Sequence, residues 1–90
     1  MKRVHAFISG EIQGVGFRGF VNNVAYNFNL KGFVRNLREN RVEIVFEGEN
    51  VNEAINAVKK GFKGAKVAKV DIEEEPFKNE FDSFNVEPTP

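Results

Sequence analysis

The chain has 90 residues, and its 13 Lys and Arg balance 13 Asp and Glu, so its formal net charge is zero. This length predicts one domain over residues 1–90, and the zero charge argues against long-range capture of nucleic acid. Apolar residues make up 41% of the chain, without a run near the ~20 that a bilayer requires. The absence of Cys excludes disulfides and thiolate metal sites.

The first residues contain two basic side chains, at Lys2 and Arg3, without a long apolar stretch behind them. A secretory signal needs such a stretch. We therefore expect a cytoplasmic location, with neither nucleic acid nor a membrane as a partner.

The first two predicted elements are a strand and an amphipathic helix. Alternation of apolar residues predicts the strand over Lys2 to Ile12. The helix follows from apolar side chains that recur at i, i+3, i+4 and i+7. These helix residues are Phe17, Phe20, Val21, Val24, Ala25 and Phe28. The helix should end near Asn29, because Asn tolerates the left-handed conformation that follows many helices.

The middle of the chain predicts two strands joined by a tight hairpin. The strands cover Gly32 to Leu37 and Arg41 to Glu47, and Glu39-Asn40 suits a turn with positive φ. A second helix follows, marked by a periodic set of apolar residues. Its members are Val51, Ala54, Ile55, Val58 and Phe62.

Two further strands are predicted over Lys66 to Glu74 and Phe81 to Glu87. The element order is thus β-α-β-β-α-β with a short final strand. This order predicts a ferredoxin-like α/β sandwich, in which two helices cover one face of an antiparallel sheet.

The segment between the first strand and the first helix is the strongest chemical signal. It reads Gly-Glu-Ile-Gln-Gly-Val-Gly-Phe-Arg from Gly10 to Arg18. Glycines at 14 and 16 allow a tight turn whose N–H groups converge on an anion, and the helix N-terminus adds its positive dipole end. Arg18 adds a planar set of donors suited to phosphate. Taken alone, the pattern also fits a plain Gly-rich turn with a surface Arg.

This segment closely resembles the signature of the acylphosphatase family. A second part of the family pattern appears as Gly-Phe-Val-Arg-Asn over residues 32–36, followed by Arg-Val-Glu at 41–43. Residues 61–67 resemble the family's Gly-rich link into the fourth strand, and residues 81–86 resemble its closing strand. The chain departs from the pattern at Phe33, where the family has Trp, at Glu39-Asn40 and at Asn29.

The resemblance implies hydrolysis of acyl phosphates to a carboxylate and inorganic phosphate, without a metal or other cofactor. It implies that Arg18 and the backbone of the preceding loop hold the phosphoryl group and that Asn36 positions the attacking water. Inorganic phosphate or sulfate is then an expected ligand of the loop. The implied phosphate-binding residues are Gln13, Gly14, Val15, Gly16, Phe17 and Arg18.

Two alternative functions remain open, and one further residue, His5, is a candidate for catalysis. A non-catalytic phosphate-binding or interaction module would have the same fold, and RNA-recognition domains share the element order. His5, the only His, alternates with apolar residues, which favours packing or surface exposure over catalysis. The acidic residues lack the spacing of a metal site, and a chain of this size is expected to be a monomer.

Overall fold

The computed structural model describes residues 1–14, 16–61 and 65–90. The predicted order of helices and strands is confirmed in these ranges. Along the chain the elements are β1 (Lys2–Glu11), α1 (Phe17–Asn27), β2 (Lys31–Leu37), β3 (Arg41–Gly48), α2 (Val51–Lys60), β4 (Lys66–Glu75) and β5 (Phe84–Glu87).

The five strands form one sheet in the order β4-β1-β3-β2-β5. β3 is antiparallel to both β1 and β2, so the latter two run parallel on either side of it. β1 likewise separates β3 from β4. Each helix therefore joins two parallel strands with a third strand between them, which confirms the ferredoxin-like sandwich.

The last strand departs from the prediction in direction and length. β5 pairs in parallel with β2, from Gly32 opposite Phe84, so the sheet is mixed rather than antiparallel throughout. β4 and β5 are the two edge strands, so the chain crosses the width of the sheet between them. It crosses at the end of the sheet where β2 begins, and β5 therefore runs in the same direction as β2. Residues 81–83 are not part of the strand. Phe81 instead lies over the guanidinium of Arg3 and against the ring of Phe33.

Both helices and one face of the sheet share a single hydrophobic core, because their buried side chains belong to one cluster. The alternation predicted for the first strand is confirmed, as is the apolar face of the first helix. Phe62, expected in the second helix, lies outside the described residues. The core residues of the sheet include Val4, Ala6 and Ile8 in β1, Val34 in β2, and Val42, Ile44 and Phe46 in β3.

Asn residues end α1 and close the β2–β3 hairpin, as predicted. Asn29 has a φ of 58°, and its N–H donates to the carbonyl of Tyr26. Glu39 and Asn40 have φ values of 63° and 55° in the turn between Leu37 and the start of β3. These conformations reverse the chain tightly, and Asn adopts them at lower cost than most residues.

The face of the sheet opposite the helices carries an ionic cluster around the buried side chains of Arg3 and Glu47. Arg3 contacts the carboxylates of Glu47, Glu75 and Glu80. Glu47 also accepts a hydrogen bond from the backbone N–H of Lys78. Since 78 and 80 lie between β4 and β5, this cluster ties the crossover segment to the sheet.

Candidate active site

The sheet topology brings the Gly-rich loop and the end of β2 to the same edge. β1 pairs with β3 up to Ser9 opposite Arg41, and β2 pairs with β3 up to Leu37 opposite the same Arg41. The loop that follows β1 and the residues that end β2 are therefore separated by the width of one strand. The two parts of the sequence motif are therefore close together in the fold.

Two glycines shape the loop between β1 and α1. Gly14 has a φ of 77° and Gly16 a φ of 81°, both in the left-handed region where a Cβ is strained. Space is open beside Gly14, because a Cβ there would meet nothing within 4 Å. The conformation rather than crowding thus favours glycine at this position. Val15, a predicted phosphate-binding residue, lies outside the described residues.

α1 begins directly after this turn, with Gly16 as its N-cap. Phe20 donates the first helical hydrogen bond to the Gly16 carbonyl at 3.0 Å, and among the described residues no side chain caps the helix. N–H groups of a first helical turn have no partner within the helix and carry the positive end of its dipole. The first turn also lacks acidic residues, so its field favours an anion in the loop.

Arg18 is the second residue of α1 and is half-buried. Within the described residues its guanidinium has neither a hydrogen bond nor an ion pair. Phe17 beside it is 2% exposed and belongs to the core, which anchors the start of the helix. The structure therefore places a cation that bonds to none of the described residues immediately after the turn.

Asn36 is the penultimate residue of β2, opposite Val42 on β3. Val34 is fully buried in the core, and alternate residues of a strand share a face. Asn36 consequently lies on the helix side of the sheet, at the edge where α1 begins. Its half-buried side chain makes no hydrogen bond within the described residues, so its amide is available to a water or ligand.

Gln13 has a role that the sequence did not predict. Its side-chain N–H2 donates to the carbonyl of Leu37 at 2.7 Å and to that of Arg41 at 2.8 Å. The expected contribution of Gln13 came from its backbone, within the Gly-rich loop. The sequence offers no signal for this contact, because a pairing across 24 residues depends on the tertiary fold.

His5 lies on the sheet face opposite the helices, away from Arg18. Its Nε2 is 2.6 Å from a Glu43 carboxylate oxygen, and its Nδ1 is 3.0 Å from one of Glu75. The expectation of a packing or surface role is consistent with this half-buried position.

Among residues 1–14, 16–61 and 65–90, no group of three His, Cys, Asp or Glu side chains is arranged to hold a metal ion. No helix in those ranges is long and apolar enough to cross a membrane.

A surface cleft of about 590 Å³ lies elsewhere, at the C-terminal end of α1. Its lining includes Asn29, Lys31 and Ser83, and none of the motif residues. The lining reaches along α1 as far as Asn22, which is four residues or about 6 Å of helix rise from Arg18, and it does not include Arg18. The candidate site is placed at the Gly-rich loop because the left-handed turns, the start of α1 and the Arg18 guanidinium all lie there, and anion recognition depends on donors more than on volume.

Comparison with known proteins agrees with this assignment of the fold and the motif. The sequence profile of the acylphosphatase family matches residues 4–86. An acylphosphatase of Syntrophus aciditrophicus is 43% identical over 88 residues, which cover 96% of this chain and 92% of the relative. The crystal structure of acylphosphatase from Bacillus subtilis has a TM-score of 0.91 and 33% identity, with 96% of this chain and 98% of that one covered. An acylphosphatase structure from Coxiella burnetii has a TM-score of 0.88 and 32% identity, with 96% and 92% covered.

Proposed function

This chain belongs to the acylphosphatase family, and on that premise we propose how its residues hydrolyse the carboxyl-phosphate bond of an acyl phosphate. The observation that carries the proposal is the shared edge of the sheet at which the side chains of Arg18 and Asn36 both lie without a hydrogen bond to any described residue. One side chain is a cation beside an anion-binding turn, and the other is a neutral amide. They suit the phosphoryl group and the attacking water, respectively.

The phosphoryl group is held by Arg18 and by backbone N–H groups of the loop from Gln13 to Phe17. In phosphoryl transfer the charge spreads over the peripheral oxygens of a loose transition state. Donors that are fixed in place before the reaction stabilise this charge without reorganising. The left-handed turns at Gly14 and Gly16 and the N-terminus of α1 supply such donors. We expect turnover without added metal, because Arg18 and the backbone N–H dipoles of the loop balance the negative charge of the phosphate.

Asn36 orients the attacking water. An amide side chain accepts and donates hydrogen bonds but is not a base at neutral pH, so its contribution is alignment of the water with the phosphorus atom. The bond between phosphorus and the acyl oxygen breaks as the water oxygen bonds to phosphorus, and the proton that the water loses passes to an oxygen of the phosphoryl group itself. The carboxylate is a good leaving group, so a strong general acid is unnecessary. Inorganic phosphate and a carboxylate are the products.

The alternatives are less well supported by the described residues. A non-catalytic module of the same fold has no need for an unbonded Asn36 beside the anion loop. An RNA-recognition domain binds bases on sheet aromatics, whereas here the open sheet face carries an ionic cluster that includes Arg3 and Glu47. We also propose that residues 1–90 act as one domain, that the protein works as a monomer, and that it acts in the cytoplasm.

Hydrolysis of benzoyl phosphate by the metal-free protein tests this proposal. The protein should release inorganic phosphate catalytically after dialysis against a chelator, and phosphate and sulfate should inhibit competitively. A crystal grown in phosphate should hold the anion in the 13–18 loop. Activity that disappears with the chelator and returns with Mg²⁺ would contradict the metal-free reaction. An empty loop at saturating phosphate would contradict the assigned site.

A further inference from the structure

The side chain of Gln13 connects the two halves of the site. Its terminal nitrogen donates one hydrogen bond to the Leu37 carbonyl at 2.7 Å and another to the Arg41 carbonyl at 2.8 Å. We propose that Gln13 is a positioning residue that holds Asn36 at the correct distance from the phosphate loop. This inference rests on the proposed function, in which Asn36 orients the water.

Both hydrogens of the Gln13 amide are used in this contact. A side-chain amide nitrogen carries two N–H donors, and here each has a backbone carbonyl as its acceptor. The nitrogen therefore has no hydrogen left for a phosphate oxygen. Its side-chain contribution to the reaction must come through the residues that it holds, and its contribution to phosphate binding comes from its backbone.

The two acceptors lie at the end of the β2–β3 ladder, next to the hairpin turn. Leu37 and Arg41 are the last pair of the ladder, and the three residues between them form an exposed turn. The end of a ladder has neighbours on one side only, so it opens more readily than the centre. A side chain that bonds a carbonyl on each strand resists this opening.

Asn36 directly precedes Leu37, so the position of the Leu37 peptide fixes where the Asn36 side chain begins. Gln13 itself directly precedes Gly14, where the left-handed turns of the loop start. One side chain thus spans from the first residue of the loop to the neighbour of Asn36. A shift of about 1 Å in a reacting group lowers rates by as much as about 100-fold, so this connection matters for turnover.

Gln13→Met is the principal test, because Met is similar in length and lacks both donors. We expect kcat for benzoyl phosphate to fall about 10- to 100-fold, while the phosphate Ki changes by no more than about twofold. The matched control is Asn56→Met, which removes an amide from an exposed position of α2. The control should keep the kcat and Ki of the parent protein.

The double variant Gln13→Met/Asn36→Ala separates positioning from an independent effect. If Gln13 acts through Asn36, the double variant should have the kcat of Asn36→Ala alone, within about twofold. An equal loss from Gln13→Met in both backgrounds would overturn the inference. A raised phosphate Ki with unchanged kcat would also overturn it, because the side chain would then serve the loop alone.

Two remaining outcomes distinguish this inference from the proposed function. Full activity of the single variant Asn36→Ala would contradict the proposed function itself, whatever Gln13→Met does. Loss of the native circular dichroism spectrum in Gln13→Met would assign Gln13 a folding role and overturn the positioning role. Gln13→Glu provides a second variant, since a carboxylate at pH 7 has no hydrogen to donate. It should reproduce the kcat loss and the double-variant result.

Discussion

The guanidinium of Arg3 and the carboxylate of Glu47 form an ion pair of 3.2 Å, with side chains that are 8% and 1% exposed. The Glu47 carboxylate also accepts hydrogen bonds from the backbone N–H groups of Lys78 at 3.0 Å and Glu80 at 3.3 Å. Burial disfavours ionisation of Glu47, but these donors outweigh it and lower its pKa below the ordinary 4.5. Hydrogen bonds from Arg3 and His5 lower the pKa of Glu75 in the same way.

The first prediction is a loss of stability in acid. Because the pKa values of Glu47 and Glu75 are lower in the folded protein, the unfolded chain binds more protons below about pH 4.5. Their stabilising contribution is complete above that pH and is lost as the pH falls through the folded values. Urea unfolding at a series of pH values from 7 downwards, about one unit apart, measures this. An unfolding free energy that stays constant through this range would contradict it.

Glu47→Gln should destabilise the fold and reduce the fall in the free energy of unfolding as the pH is lowered. The amide keeps the shape of the side chain but removes the charge that Arg3 and two backbone N–H groups contact. We expect a loss of about 1–3 kcal/mol in the free energy of unfolding at pH 7. Glu74→Gln is the control, because Glu74 is exposed on β4. Equal effects of the two substitutions would show that the buried cluster has no special role.

Arg18→Gln should weaken phosphate binding and slow turnover together. The guanidinium contacts the phosphoryl group in the bound substrate and in the transition state alike, so its loss affects both. A charged hydrogen bond contributes about 1.5–3 kcal/mol, which corresponds to a rise of about 10- to 100-fold in the phosphate Ki. The measurements are kcat and Ki, with circular dichroism as the check on folding. An unchanged Ki would remove Arg18 from the phosphate site.

Asn36→Ala should lower kcat severely and leave the phosphate Ki nearly unchanged. The oriented water contributes in the transition state, and loss of one such hydrogen bond costs about 10²–10³ in rate. Steady-state kinetics with benzoyl phosphate and competitive phosphate measure both constants. A variant that keeps near-normal kcat would show that this amide does not position the water.

Gly14→Ala should reduce phosphate affinity through the backbone. A Cβ at Gly14 meets open space, so the expected cost is strain at a φ of 77°, about 1–2 kcal/mol, relieved by reshaping the turn. Gly19→Ala is the matched control: Gly19 is helical, has open space for a Cβ, and should gain about 0.5–1 kcal/mol in stability. Phosphate titration and thermal unfolding of both variants check this. A Gly14→Ala protein with normal affinity would show that the turn tolerates a side chain.

The candidate site was predictable where a local pattern carries the chemistry. Glycines at 14 and 16 and Arg18 lie within five residues, so the turn, the helix start and the cation can be recognised together. Asn36 became a candidate only through its place in the second of the two motifs that resemble the acylphosphatase pattern. The bonds from Gln13 to Leu37 and Arg41 could not be predicted, because they join residues whose proximity depends on the pairing of β1 and β2 with β3.

The sequence by itself determined the element order, the core faces of β1 and β3 and the positive-φ turns at Asn29 and Asn40. These features follow from short-range periodicity and from the backbone preferences of single residues. Only the tertiary structure decided that β5 runs parallel to β2 and that the Arg3–Glu47 pair is buried. Both depend on the path of the crossover segment across the sheet. That path is set by contacts between residues far apart in the chain, which no local pattern encodes.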